Sequence, residues 1–119
     1  MIVAGVGFSS DASAEDIVAV VRAAGGTAQV LAAPDFKETA ELHAAAAAMA
    51  LPLVLIGRAA LEAVQAQCAT FSERAEAAVG LASVAEACAL AGAGAQSRLL
   101  AARISKGRAT CALAEGFSS

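Results

Sequence analysis

The chain has 119 residues, 59% of them hydrophobic and only 3% aromatic, with four Phe, no Tyr, no Trp and a mean hydropathy of +0.68. That length suits one domain and is too short for two independent cores, and with so few rings the core must be filled by Ala, Val and Leu. A net charge of −3 argues against general nucleic-acid binding, and apolar runs broken well short of about 18 residues argue against a membrane span. Cys68, Cys88 and Cys111 have no C-x-x-C spacing and suggest neither a disulfide framework nor a zinc site. No basic segment precedes MIVAGVGF, so a soluble cytoplasmic protein with buried, reduced thiols is expected.

MIVAGVGF, β-branched and closed by glycine, reads as a buried first strand. Ser13 and Asp16 then have capping-box spacing, and Ile17, Val20, Val21 and Ala24 form a helical stripe stopped by Gly25 and Gly26. TAQVLAA is a second strand. Asp35 and Glu38 repeat the cap spacing ahead of an alanine-rich helix, with Leu42, Ala46 and Met49 inward, that must end before Pro52. PLVLI is a third strand, followed by a short helix with Leu61 and Val64 inward; the polar stretch 66–80, around CATFSERAEA, carries no assignment. A helix starts at Ser83. SRLLAARIS and RATCALA, separated by Lys106 and Gly107, read as a closing β-hairpin with glycine at the residue needing positive φ. Strands alternating with helices imply right-handed βαβ units, so the expected fold is one three-layer α/β/α domain spanning residues 1–119, with a mixed sheet of about five strands.

Charge is unevenly spread. Arg98, Arg103, Lys106 and Arg108 fall in one short segment, and no acid lies between Glu86 and Glu115. A solvated hairpin, protected against edge pairing, and an anion site both account for this. GVGFSS, Gly5 to Ser10, lies between a strand and a helix start, where amides and the macrodipole favour an anion. It lacks the third glycine of the dinucleotide fingerprint and a Walker lysine, and the first acid after it that could meet a ribose, Asp35, comes late. A tight turn is one reading; carboxylate or phosphate binding by the hydroxyls of Ser9, Ser10 and Ser13 is the other.

Glu86 is a lone acid in the apolar run GLASVAEACALAGAG. Ser83 and Glu86 have S-x-x-E spacing, in which the Glu side chain satisfies the Ser83 amide, so a cap accounts for it. A capped helix start in a cleft can still offer its other amides to a ligand carboxylate. His43, the lone histidine, sits one step off the stripe of its helix, and no Ser/His/Asp order or metal-spaced cluster is present. No metal or cofactor is expected.

Taken together and in order, GVGFSSDASAEDI, DFKETAEL, SVAEACAL and RLLAARISKGRATCALA resemble the cobalamin biosynthesis family of CobE and the C-terminal domain of CbiG, over nearly the whole chain. The resemblance implies a small α/β domain tied to tetrapyrrole ring contraction. The complete anaerobic protein opens the δ-lactone of cobalt-precorrin-5A and releases acetaldehyde, and its N-terminal part has no counterpart in these residues. The resemblance places the family's glycine turn on Gly5 and Gly7, a basic position on Lys37, and the S-V-A-E helix start on Ser83 and Glu86. Phe8 stands where members typically carry cysteine, which removes a nucleophile. Arg103 stands where they carry lysine, which keeps the charge and adds a bidentate grip on carboxylates.

A precorrin is a broad apolar macrocycle rimmed by carboxylates, so its site needs an apolar surface, helix starts and a few cations. The expected ligand-binding residues are Gly5, Gly7, Phe8, Ser9, Ser10, Lys37, Ser83, Glu86 and Arg103. Alternation from Leu99 puts Leu99, Ala101 and Arg103 on one face, with Arg98 and Arg108 solvated nearer the strand ends. The partners implied are a precorrin or corrinoid intermediate and other enzymes of the pathway. A carrier, a lactone hydrolase and an interaction subunit of an assembly are the three functions that fit.

Overall fold

The computed structural model describes residues 1–68, 84–94 and 96–116. In chain order they form β1 (Ile2–Phe8), α1 (Ala14–Ala23), β2 (Val30–Pro34), α2 (Ala40–Ala48), β3 (Leu53–Ile56), α3 (Arg58–Ala63), α4 (Val84–Ala93), β4 (Arg98–Lys106) and β5 (Ala109–Glu115). Short 3-10 turns at Asp35–Lys37 and Gln65–Gln67 follow β2 and α3. The strand order is β3-β2-β1-β5-β4, with β1, β2 and β3 parallel and β5 antiparallel to both its neighbours. The mixed five-stranded sheet and the α/β class match expectation. Ser83 and residues 69–80 of the unassigned stretch lie outside the described residues.

Strand alternation sends successive side chains to two cores. Ala4, Val6, Leu31, Ala33, Cys111 and Leu113 face α1 and α2, while Val3, Ala32, Ala112 and Ala114 face α4 and Leu61 of α3. Small residues let α4 lie directly on the sheet. A Cβ at Gly5 would overlap the Ala85 carbonyl and the Ala89 amide, so glycine is required there by the approach of two backbones. α4 is therefore buried nearly all round, as its lack of a polar face demands.

The local signals acted mostly as read. Ser13 accepts from the Asp16 amide, and the Asp16 carboxylate accepts from the Ser13 amide at 3.0 Å. Gly107 has φ +62° in a two-residue loop between the paired Lys106 and Ala109. The second helix differs. Asp35–Lys37 forms a separate 3-10 turn, and Thr39 is the N-cap, accepting from the Leu42 amide at 3.1 Å. A hydroxyl one residue before the helix outcompetes the two acids upstream. Leu42, Ala45 and Ala46 are buried there, while Met49 is the half-buried C-cap. Among the described residues no helix is long and apolar enough to cross a membrane.

Candidate functional site

The carboxyl ends of the parallel strands, where open α/β sheets bind ligands, gather the turn after β1, the turn after β2 and the start of α4. β1 ends at Phe8. The Lys37 ammonium, from the 3-10 turn after β2, lies 5.9 Å from the centroid of the Phe8 ring, within range of a cation–π attraction. Phe36, one residue earlier, is 43% exposed. Sequence reasoning missed Phe36; its signal was an aromatic beside the basic position, in a chain with few rings.

The turn after β1 is tied to the hairpin. The Ser9 amide donates to the Arg108 carbonyl at 3.1 Å, the Ser9 hydroxyl donates to Asp11 Oδ1 at 2.8 Å, and the Arg108 guanidinium pairs with Asp11. The Ser9 hydroxyl foremost, then the turn's own amide and Arg108, hold the Asp11 carboxyl below its ordinary range. Arg108 was expected to be solvated; it is exposed but neutralised by Asp11. Arg98 likewise meets Glu115 at 3.1 Å. Asp11 was not anticipated, although an acid two residues after Ser9 in a turn is well placed to accept its hydroxyl. Ser10 is exposed and lies within the same turn.

Gly5 and Gly7 serve packing. Gly5 admits α4, and at Gly7 a Cβ would lie 2.9 Å from Thr110 Oγ1 and 3.4 Å from Val84 Cβ. The start of α4 thus reaches the same end of the sheet as Phe8. Thr110 closes this point by donating to the Gly7 carbonyl at 3.2 Å.

Glu86, in the first turn of α4, is fully buried. Its carboxylate accepts the Arg103 backbone N–H at 2.9 Å. The β4–β5 register shifts between Leu99 and Ala101 and again between Ala101 and Ile104, which leaves Arg103 in an irregular stretch. This corrects the expected alternation. Leu99 packs on the α4 core and Ala101 on the α1–α2 core, because an extra residue in β4 flips the phase. Half-buried Arg103 has no ion-pair partner among the described residues. Cys68 lies near enough to feel Glu86: burial first, and then the Glu86 charge, push the Cys68 thiol up to about 11.

The expected site residues therefore fall into two neighbouring groups. Phe8, Ser9, Ser10 and Lys37 share the carboxyl ends of β1 and β2, whereas Glu86 and Arg103 meet on the α4 side of the edge strand, with β5 between Arg103 and β1. A separate cavity of about 270 Å³, lined by Val21, Arg22, Gly26, Ala28, Ala48, Met49 and Leu51, opens at the opposite, amino ends of β2 and β3. It is below the size that pockets for drug-sized ligands need, and it lies far from both groups, so it is not the candidate site for a macrocycle. Among the described residues no three His, Cys, Asp or Glu gather as metal ligands.

Known proteins bear the same pattern. The family described as cobalamin synthesis G C-terminus matches residues 2–114. The crystal structure of CobE, a protein from the cobalamin (vitamin B12) biosynthetic pathway, is 30% identical with a TM-score of 0.90, covering 100% of this chain and 92% of that one. The cobalamin biosynthesis protein chiG from Agrobacterium tumefaciens str. C58 is 40% identical with a TM-score of 0.78, covering 99% of this chain and 100% of that one. No curated protein matches. With the family match spanning nearly the whole chain and fold and length agreeing across the solved structures, the chain belongs to the cobalamin synthesis G C-terminus family and is a protein of cobalamin biosynthesis.

Proposed function

We propose that the domain binds a late, carboxylate-rimmed precorrin or corrinoid intermediate, and serves as a carrier or accessory factor in the ring-contraction part of cobalamin biosynthesis. It would exchange that intermediate with other enzymes of the pathway, in the cytoplasm, a compartment that suits three free thiols. The family supplies the pathway. The observation that carries the binding role is the distribution of cations. Arg58, Arg98 and Arg108 each meet a carboxylate, and Arg22 and Lys106 are exposed to solvent. Among the described residues only Lys37 and Arg103 are half-buried cations, the first over an aromatic ring and the second with its backbone N–H on Glu86 but no ion pair at its guanidinium. A partly desolvated cation gains most from an incoming carboxylate, because the attraction is weakly screened and much of the dehydration has already occurred.

His43 does not favour hydrolysis: it bonds Glu38 at 2.7 Å on the exposed start of α2, on the face of the sheet opposite α4. The test is absorbance titration with cobyrinic acid, a carboxylate-rimmed corrin, against heme, whose rim carries only two propionates. Cobyrinic acid should bind at least about tenfold tighter, as one additional charge-assisted contact implies. Equal affinities would overturn the reading.

A further inference from the structure

Phe8 and Phe36 stand at the same end of neighbouring parallel strands, and Lys37 joins them. Phe8 closes β1 and packs partly on the α1–α2 core. Phe36 lies in the turn that follows β2, the strand paired with β1, and is exposed over 43% of its surface. A single exposed ring is ordinary. Here it precedes the lysine whose ammonium is held 5.9 Å from the centroid of the Phe8 ring, in a chain with only four aromatic residues. The ring quadrupole attracts the ammonium and restricts a side chain that would otherwise sweep many rotamers, so less entropy is lost when it meets an anion. An exposed apolar ring one residue from a pre-positioned cation can complement a ligand with a broad apolar face and a rim of carboxylates.

We propose that Phe36 contacts the face of the bound macrocycle, while Phe8 acts as a positioning residue that holds Lys37 against one rim carboxylate. This extends the corrinoid-binding reading and rests on it. It also sets the specificity of the site, since an acyclic polycarboxylate would use Lys37 but gain nothing from Phe36.

The experiment is titration of the full chain with cobyrinic acid and, separately, with citrate, at two salt concentrations. Phe36→Ser should weaken cobyrinic acid binding about tenfold with an unchanged salt dependence, and Phe36→Tyr should restore it. Citrate binding should be indifferent to both. Lys37→Ala should weaken both ligands and flatten the salt dependence. Phe8→Leu should weaken cobyrinic acid binding about threefold, and add nothing in a Lys37→Ala background, because its effect passes through the ammonium. If the wild type binds cobyrinic acid and Phe36→Ser binds it equally, this inference fails and the carrier reading stands. If the wild type does not bind it, both fail. A wild-type dimer made monomeric by Phe36→Ser would make the rings a self-association surface and overturn the inference.

Discussion

The Glu86 carboxylate on α4 accepts the backbone N–H of Arg103 on β4 at 2.9 Å, across seventeen residues of sequence. Where the β4–β5 pairing slips, a helix side chain takes the place of a strand partner. Glu86 therefore joins two layers of the fold, which neither cap statistics nor strand alternation implies. A buried carboxylate is tolerated only where its lone pairs are met.

Replacing it should expose that dependence. Glu86→Ala leaves the half-buried Arg103 amide unsatisfied and a void beside α4, for a cost of about 2 to 4 kcal/mol. Glu86→Gln keeps an acceptor oxygen and should cost about 1 kcal/mol, comparable with Ser13→Ala at the more exposed capping box of α1. Urea denaturation of the three variants makes the comparison. An alanine variant at position 86 no worse than Ser13→Ala would reduce Glu86 to a local cap.

Gly5 offers a test of the layer packing where α4 crosses β1. A methyl group there would meet three backbone atoms, the Ala85 carbonyl oxygen and the Ala89 nitrogen and Cα, none of which can rotate away. Gly5→Ala should cost about 3 kcal/mol, at the upper end of overpacking, and lower the melting temperature accordingly. An unchanged melting temperature would mean that α4 can slide on the sheet.

These two residues also mark what the sequence could reveal. Stripes, caps and turn glycines are encoded within a few neighbours, so Ile17, Ser13 and Gly107 led to the correct elements. Gly5 was legible as a constrained position, but not as the seat of α4, because the helix that touches it lies eighty residues on. The register of β4 was illegible for a related reason: its bulges depend on a carboxylate from another element, while period-two reasoning assumes an unbroken ladder. Thr39 took the cap role because a cap is decided by the residue flanking the helix, and two acids upstream obscured it. Of the candidate site, Lys37 and Phe8 were identified as separate positions; their contact, and the ion pairs that occupy Arg98 and Arg108, required three dimensions.

The thiols predict an alkaline limit to stability. Burial pushes Cys111 up to about 12 from an ordinary 9.0, burial and then the Glu86 charge push Cys68 up to about 11, and burial and then Cys68 push Cys88 up further. A raised folded-state pKa means that the unfolded chain releases its protons first. The contribution is whole below about pH 9 and falls as pH rises toward 11 and 12. Melting temperature should decline through that interval in a chain with no Tyr to titrate there, and the double variant Cys88→Ala/Cys111→Ala should decline less. Parallel curves for the two proteins would rule the thiols out as the cause.

Arg103 and Arg98 share one strand, yet they should differ as ligand contacts. Arg98 is already paired with Glu115 at 3.1 Å and its side chain is 66% exposed, so removing it takes away a screened surface charge. Arg103 is half-buried, its amide is fixed by Glu86, and its guanidinium meets no carboxylate among the described residues. Losing a charge-assisted hydrogen bond from such a group should weaken cobyrinic acid binding by about one to two orders of magnitude in Arg103→Ala. Arg103→Lys should fall between, since it keeps the charge and loses the planar fork. Arg98→Ala should change affinity little at physiological salt. Absorbance titration of the three variants at two salt concentrations separates a specific contact from a diffuse basic field: equal losses for Arg98 and Arg103, both erased by added salt, would remove the edge strand from the binding surface and leave the carboxyl ends of β1 and β2 to hold the ligand alone.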